Sequence, residues 1–160
     1  MIRSFVPADM TSVLSIWLSA SLQAHDFIEP TFWQGKLDDM RDHYLPSADV
    51  WVCERDGQVG GFFALQVNML AALFVHPDVH GQGIGSALLA KARLLSPEPL
   101  ELSVYQRNAQ AVAFYQRQGF CQIDLRMDER AGHVELVMRA CDELPLGKSA
   151  TDGGEDTALL

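Results

Sequence analysis

The sequence predicts an α+β domain organised on a mixed, mostly antiparallel sheet. Three observations predict it. Short apolar runs of strand length alternate with apolar stripes of helical spacing, in the order β-α-α-β-β-β-α-β-α-β-β. Asp56-Gly57 sits between two alternating runs and marks a hairpin. Leu70 to Val75 and Leu100 to Val104 are strands separated by a helical stretch, so they form a right-handed parallel crossover.

Each element has its own signal. Ile2 to Val6 is a short strand, and Pro7-Ala8-Asp9 starts a helix carried by Val13, Ile16, Trp17 and Ala20 to about Leu22. The connection QAHDFIEP follows. Trp33, Leu37, Met40 and Tyr44 predict a second helix over about Phe32 to Tyr44, closed by Pro46. Val50 to Glu54 and Gln58 to Gln66 are the hairpin strands. A short loop near Asn68-Met69 leads to Leu70–Val75, where Pro77 stops the pairing. Leu88, Leu89, Ala92 and Leu95 give a third helix from about Ile84, ended near Pro97 and Pro99. A fourth helix spans Asn108 to Gln118. The last hairpin pairs Phe120–Asp128 with His133–Arg139 around Arg130-Ala131-Gly132.

The composition fits one globular domain. The chain has 160 residues, 48% hydrophobic and 21% charged. A net charge of −9 and a pI near 4.8 oppose nucleic acid and anionic lipid as partners and suit a cationic or amine-bearing one. Residues 1–140 read as the folded domain. Residues 141–160, polar and glycine-rich, read as a flexible tail. With no apolar leader and no run of membrane length, a soluble cytoplasmic protein is expected. Cys53, Cys121 and Cys141 are odd in number, far apart and without a C-x-x-C, so neither a disulfide framework nor a metal site is expected.

The chemistry concentrates in His80-Gly81-Gln82-Gly83-Ile84-Gly85-Ser86, between a strand and a helix. The first N–H groups of a helix lack intrahelical partners and carry the positive end of its dipole, which makes such a turn an anion cradle. There is no Gly-Lys-Ser/Thr, so it is not a nucleotide P-loop, and Ser86 breaks the dinucleotide spacing.

Leu73-Phe74-Val75-x-Pro77, then His80-Gly81-Gln82-Gly83-Ile84-Gly85, then Asn108-x-x-Ala111-x-x-Phe114-Tyr115-x-x-x-Gly119-Phe120, together resemble the GNAT superfamily of acyl-CoA N-acyltransferases over residues 2 to 139. The family's loop begins with Gln or Arg where this chain has His80. The resemblance implies a twisted sheet with helices on both faces. It implies acetyl-CoA as co-substrate, and an acetyl group passed to an amine by direct attack in a ternary complex. Phe74 and Val75 main-chain groups would pair with the pantetheine arm, and Gln82 to Ser86 would hold the diphosphate, with His80 donating a further hydrogen bond. Asn108 would bond the arm, and Tyr115 would lie near the sulfur as general acid. It also allows a homodimer. The acceptor is a small amine or a protein amino group.

The base is left open. His25, Asp26 and Glu29 in the first interhelical loop and Glu101 on a strand are candidates, and His25, Asp26, Phe27 and Glu101 are the expected acceptor-site residues. The alternative reading of His25 is a solvated loop residue. A second reading of the whole chain is an acyl-CoA sensor that binds without transfer. Tyr115, a phenol able to protonate a thiolate, argues for catalysis.

Overall fold

The computed structural model describes residues 1–141; apart from Cys141, the tail expected over 141–160 lies outside the described residues. Seven strands form one sheet in the order β1-β2-β3-β4-β5-β7-β6. They are β1 (Ile2–Ser4), β2 (Asp49–Arg55), β3 (Gln58–Gln66), β4 (Met69–Val75), β5 (Glu101–Tyr105), β6 (Phe120–Asp128) and β7 (His133–Ala140). All neighbours are antiparallel except β4 and β5. The Asp56-Gly57 hairpin forms, with both residues at positive φ (52° and 76°).

The helices are α1 (Met10–Ala24), α2 (Pro30–Gln34), α3 (Leu37–Asp39), α4 (Ile84–Leu95) and α5 (Ala109–Arg117). The single helix expected over 32–44 is broken. A turn at Gly35-Lys36 separates α2 from α3, and Met40–Tyr44 continues as a π-helical turn. Trp33 and Met40 still bury on the same core and Leu37 packs against it, but Tyr44 is exposed, so the stripe holds for part of its length and the helix is not continuous.

Each face of the sheet has its own core. On one, Phe63, Leu73 and Val75 pack with Leu88 and Leu89 of α4 and Phe114 and Tyr115 of α5. On the other, Val52, Phe62 and Phe74 pack with Val13, Ile16 and Trp17 of α1 and Trp33 of α2. Gly61 decides how closely α4 approaches. A Cβ there would lie 3.0 Å from Ile84 Cγ2, Leu88 Cδ1 and the Phe74 carbonyl. Glycine thus seats the start of α4 directly on β3.

The cysteine expectation is corrected. The return of β7 sets Cys121 opposite Arg139 and brings the Cys121 and Cys141 sulfurs into bonding contact, Cα atoms 5.9 Å apart. Sequence separation concealed a cross-strand neighbour. Cys53 is buried and free. No helix among the described residues is long and apolar enough to cross a membrane, and no three potential metal ligands cluster there.

Candidate active site

The site begins where the sheet opens. β4 and β5 pair only at Met69–Glu101 and Leu70–Leu102; beyond Leu70 they separate. The edge that this exposes is specific. His76 N–H donates to Gly60 O at 2.8 Å, so antiparallel alternation directs the polar backbone groups of Phe74 to β3 and those of Leu73 and Val75 into the gap. The expectation for Phe74 is therefore corrected: its main chain is used by β3, and its side chain stacks on Phe62. The groups turned toward the gap are those of Leu73 and the N–H of Val75, since the Val75 carbonyl accepts from His80.

The glycine turn lies at the end of β4. Gly83 caps α4 in the left-handed region (φ 77°), and a Cβ there would meet nothing within 4 Å. Glycine answers the backbone here and leaves open space in front of the first N–H groups of α4. Ile84 and Gly85 are buried, so the Ile84 side chain serves the core and only its main chain can face a ligand. Ser86 Oγ accepts a hydrogen bond from Gln118 (3.3 Å), tying α4 to α5. Gln82 is exposed, and Arg55 reaches its carbonyl at 3.4 Å, bringing to the turn a cation that sequence reasoning missed. His80 is not aimed at an anion. Its Nε2 donates to Val75 O at 3.0 Å, because the turn folds the ring back onto β4.

Tyr115 is fully buried, edge-on to Phe114 and Phe120, within the core that holds Leu73 and Val75. Its hydroxyl has no partner among the described residues, and burial pushes its pKa well above the phenol range. A buried, protonated, unpartnered O–H is costly unless something completes it. Together with the open gap and the glycine cradle at Gly83, it fits acetyl-CoA: an amide-bearing arm, a diphosphate and a sulfur.

On the other face of the opening lies a cavity of about 360 Å³. Trp17, Phe32, Trp33, Phe74 and Tyr105 form apolar walls. Asp128 and Glu135 are its carboxylates, and Lys36 and Arg130 its cations. Tyr105 O–H donates to Asp128 Oδ2 at 2.6 Å; burial and that acceptor keep the phenol protonated. Sequence reasoning missed Asp128 and Glu135. They sit in the final hairpin, whose strand β7 inserts beside β5; only the tertiary register Tyr105–Glu135 reveals them.

The expected acceptor residues are distributed differently. His25 is fully buried at the end of α1, stacked on Trp33 with ring centroids 5.0 Å apart and edge-on to Tyr105 and Phe27. Burial lowers its pKa to about 4, and it is absent from the cavity wall. It is therefore neither solvated nor placed to act as the base. Its Nε2 faces the amide nitrogen of Asn108 at 3.3 Å. Asn108 is itself buried and caps α5 through Oδ1 to Ala111 N–H (3.3 Å). Asp26 is exposed. Phe27 packs on Tyr105 and His133 and under Arg107, behind the cavity. Glu101 is bonded to Arg139 at 2.8 Å, at the paired end of β5 away from the opening.

Comparison with known proteins agrees with this architecture. The family described as "Acetyltransferase (GNAT) domain" matches residues 46–122. The chain is 38% identical over 125 residues to the peptidyl-lysine N-acetyltransferase YiaC of Escherichia coli, covering 78% of this chain and 85% of that one. It is 37% identical over 109 residues to the peptidyl-lysine N-acetyltransferase YjaB of Salmonella typhimurium, covering 68% and 74%. Among solved structures, apo YjaB from Escherichia coli superposes with a TM-score of 0.79 at 29% identity, over 89% of this chain and 98% of that one. A GCN5-related N-acetyltransferase from Rhodopseudomonas palustris, 15% identical, shares the fold at a TM-score of 0.71 over 87% and 92%. The chain belongs to the GNAT family and is an N-acetyltransferase whose acetyl donor is acetyl-CoA.

Proposed function

We propose that the amino acceptor is a protein lysine side chain. The observation that carries this reading is the cavity beside the opening of the sheet. Its aromatic walls suit a four-carbon stem, and its carboxylates Asp128 and Glu135 suit the ammonium at the end of that stem. The relatives named as peptidyl-lysine N-acetyltransferases support the same choice.

When bound, acetyl-CoA supplies an activated acetyl thioester. The residues proposed to hold it are Leu73 and Val75 through main-chain groups, and Gly81 to Ser86 through the turn and the first N–H groups of α4. Backbone N–H donors fixed at a strand edge stabilise developing negative charge without reorganising. Tyr115 keeps its proton in the buried site and donates it to the departing sulfur. Asn108, locked between the end of α1 and the start of α5, orients the arm from below.

The test is incubation with acetyl-CoA and two acceptor sets, lysine-containing peptides and small primary amines, read by mass spectrometry. Acetylation confined to Nε of peptide lysines supports the proposal. Efficient acetylation of small amines with untouched peptides refutes it.

A further inference from the structure

Glu135 differs from every other carboxylate near the opening. Asp128 is engaged twice, by Tyr105 O–H on Oδ2 and by Arg130 N–H on Oδ1 (3.1 Å). Glu101 is engaged by Arg139. The Glu135 carboxylate forms no hydrogen bond and no ion pair among the described residues, although it is part-buried and lines the cavity. A part-buried carboxylate left unpaired in a cavity is a mark of function.

Register fixes its neighbours. Tyr105 pairs with Glu135, and both line the cavity together with Phe74 and Asp128. Glu135 therefore faces the acceptor space beside the opening of the sheet, one strand away from Tyr105. On the same cavity wall, the Trp33 indole N–H is buried (7% exposed) and has no acceptor among the described residues, a second polar group awaiting a partner.

We propose that Glu135 is the general base: its carboxylate receives the proton of the acceptor ammonium, which Asp128, oriented by Tyr105, holds beside it. This rests on the lysine reading above. One N–H bond of the ammonium breaks, an O–H bond forms on Glu135, and the electron pair of the broken bond stays on nitrogen as the nucleophile. Burial first, then the charge of Asp128, raises the proton affinity of Glu135, which improves its match to a base working near neutral pH. The charged and titratable groups facing it are Asp128 and Arg126 from β6, Tyr105 from β5, Arg130 from the hairpin turn and Lys36 from the α2–α3 link. Of these, Arg126 works in the opposite direction and is held off by its bond to Ser103 Oγ.

The experiment compares wild type, Glu135→Gln and Glu135→Asp. It reads kcat/KM against pH on a lysine peptide, the acetyl-CoA Kd, and the Glu135 side-chain 13C shift of the free protein titrated with Nα-acetyl-lysine methylamide. In wild type, kcat/KM should rise with pH through the titration of Glu135. Glu135→Gln should lose that acid limb and about 100-fold in kcat/KM, a typical general-base contribution, at unchanged acetyl-CoA Kd. Glu135→Asp should recover part of it, and the amine should move the Glu135 shift. An intact acid limb with kcat/KM within about threefold of wild type in Glu135→Gln would overturn the assignment. If wild type acetylates no lysine peptide, the lysine reading fails by itself. The 13C titration, repeated with butylamine, then decides: a moved shift supports Glu135 as the amine-facing group, and an unmoved one overturns it.

Discussion

His25 makes the fold sensitive to acid in a way that can be worked from the structure. The ring is fully buried among Trp33, Tyr105 and Phe27, and burial takes its pKa from 6.5 to about 4. Between these two values the unfolded chain binds the proton and the folded chain does not. Stability is then complete above about pH 6.5 and is lost as pH falls toward 4. At 1.36 kcal/mol per pH unit, that interval corresponds to about 3 kcal/mol. His25→Gln removes the titration and keeps a side chain able to meet Asn108. Urea unfolding midpoints of the two proteins should be measured from pH 4 to 7.5. Other acid-sensitive groups, such as Asp9 held below the usual carboxylate range by Arg3, are common to both and cancel. The wild-type-minus-variant stability should fall by about 3 kcal/mol across the window. A difference that stays flat would refute the buried, neutral histidine.

Three further outcomes follow from packing and backbone geometry. Gly61→Ala forces a Cβ against two α4 side chains and the Phe74 carbonyl at 3.0 Å; it should cost about 1–3 kcal/mol and weaken acetyl-CoA binding, read by thermal melting and calorimetry. Tyr115→Phe removes the proposed acid without changing shape; kcat should drop by at least about tenfold while the acetyl-CoA Kd stays within about threefold, and unchanged turnover would remove the hydroxyl from the mechanism. Val67, exposed and branched, sits at φ 57° in the β3–β4 turn; Val67→Asn should stabilise by about 1 kcal/mol, seen as a higher Tm.

The strand order along the chain, the glycine turn and the α5 motif were legible because each is written in local spacing. Leu88, Leu89 and Ala92 could only be one helical face, and Asp56-Gly57 could only turn back. The two-carboxylate wall was not legible. Glu135 reads as one polar residue in an alternating strand until β7 is known to insert between β5 and β6. His25 misled for a related reason. A histidine beside Asp26 in a loop suggests solvent and catalysis, yet the loop folds its ring inward onto Trp33 while Asp26 stays outside. Phe74 was assigned by motif, but strand parity decided that its neighbours Leu73 and Val75 face the gap. Cys121 and Cys141 likewise met only through the hairpin.

The two residue pairs joining β4 to β5 have a consequence for the life of the protein in a cell. Four antiparallel strands on one side and three on the other meet at a seam of two rungs. A donor lodged in that seam acts as a removable staple. Its stabilisation grows with the logarithm of its concentration, reaching about 2.7 kcal/mol at a hundredfold excess over Kd. Changes of that size alter how often a chain opens to proteases, and so its abundance. Acetyl-CoA bound there would protect the fold as well as supply the reaction.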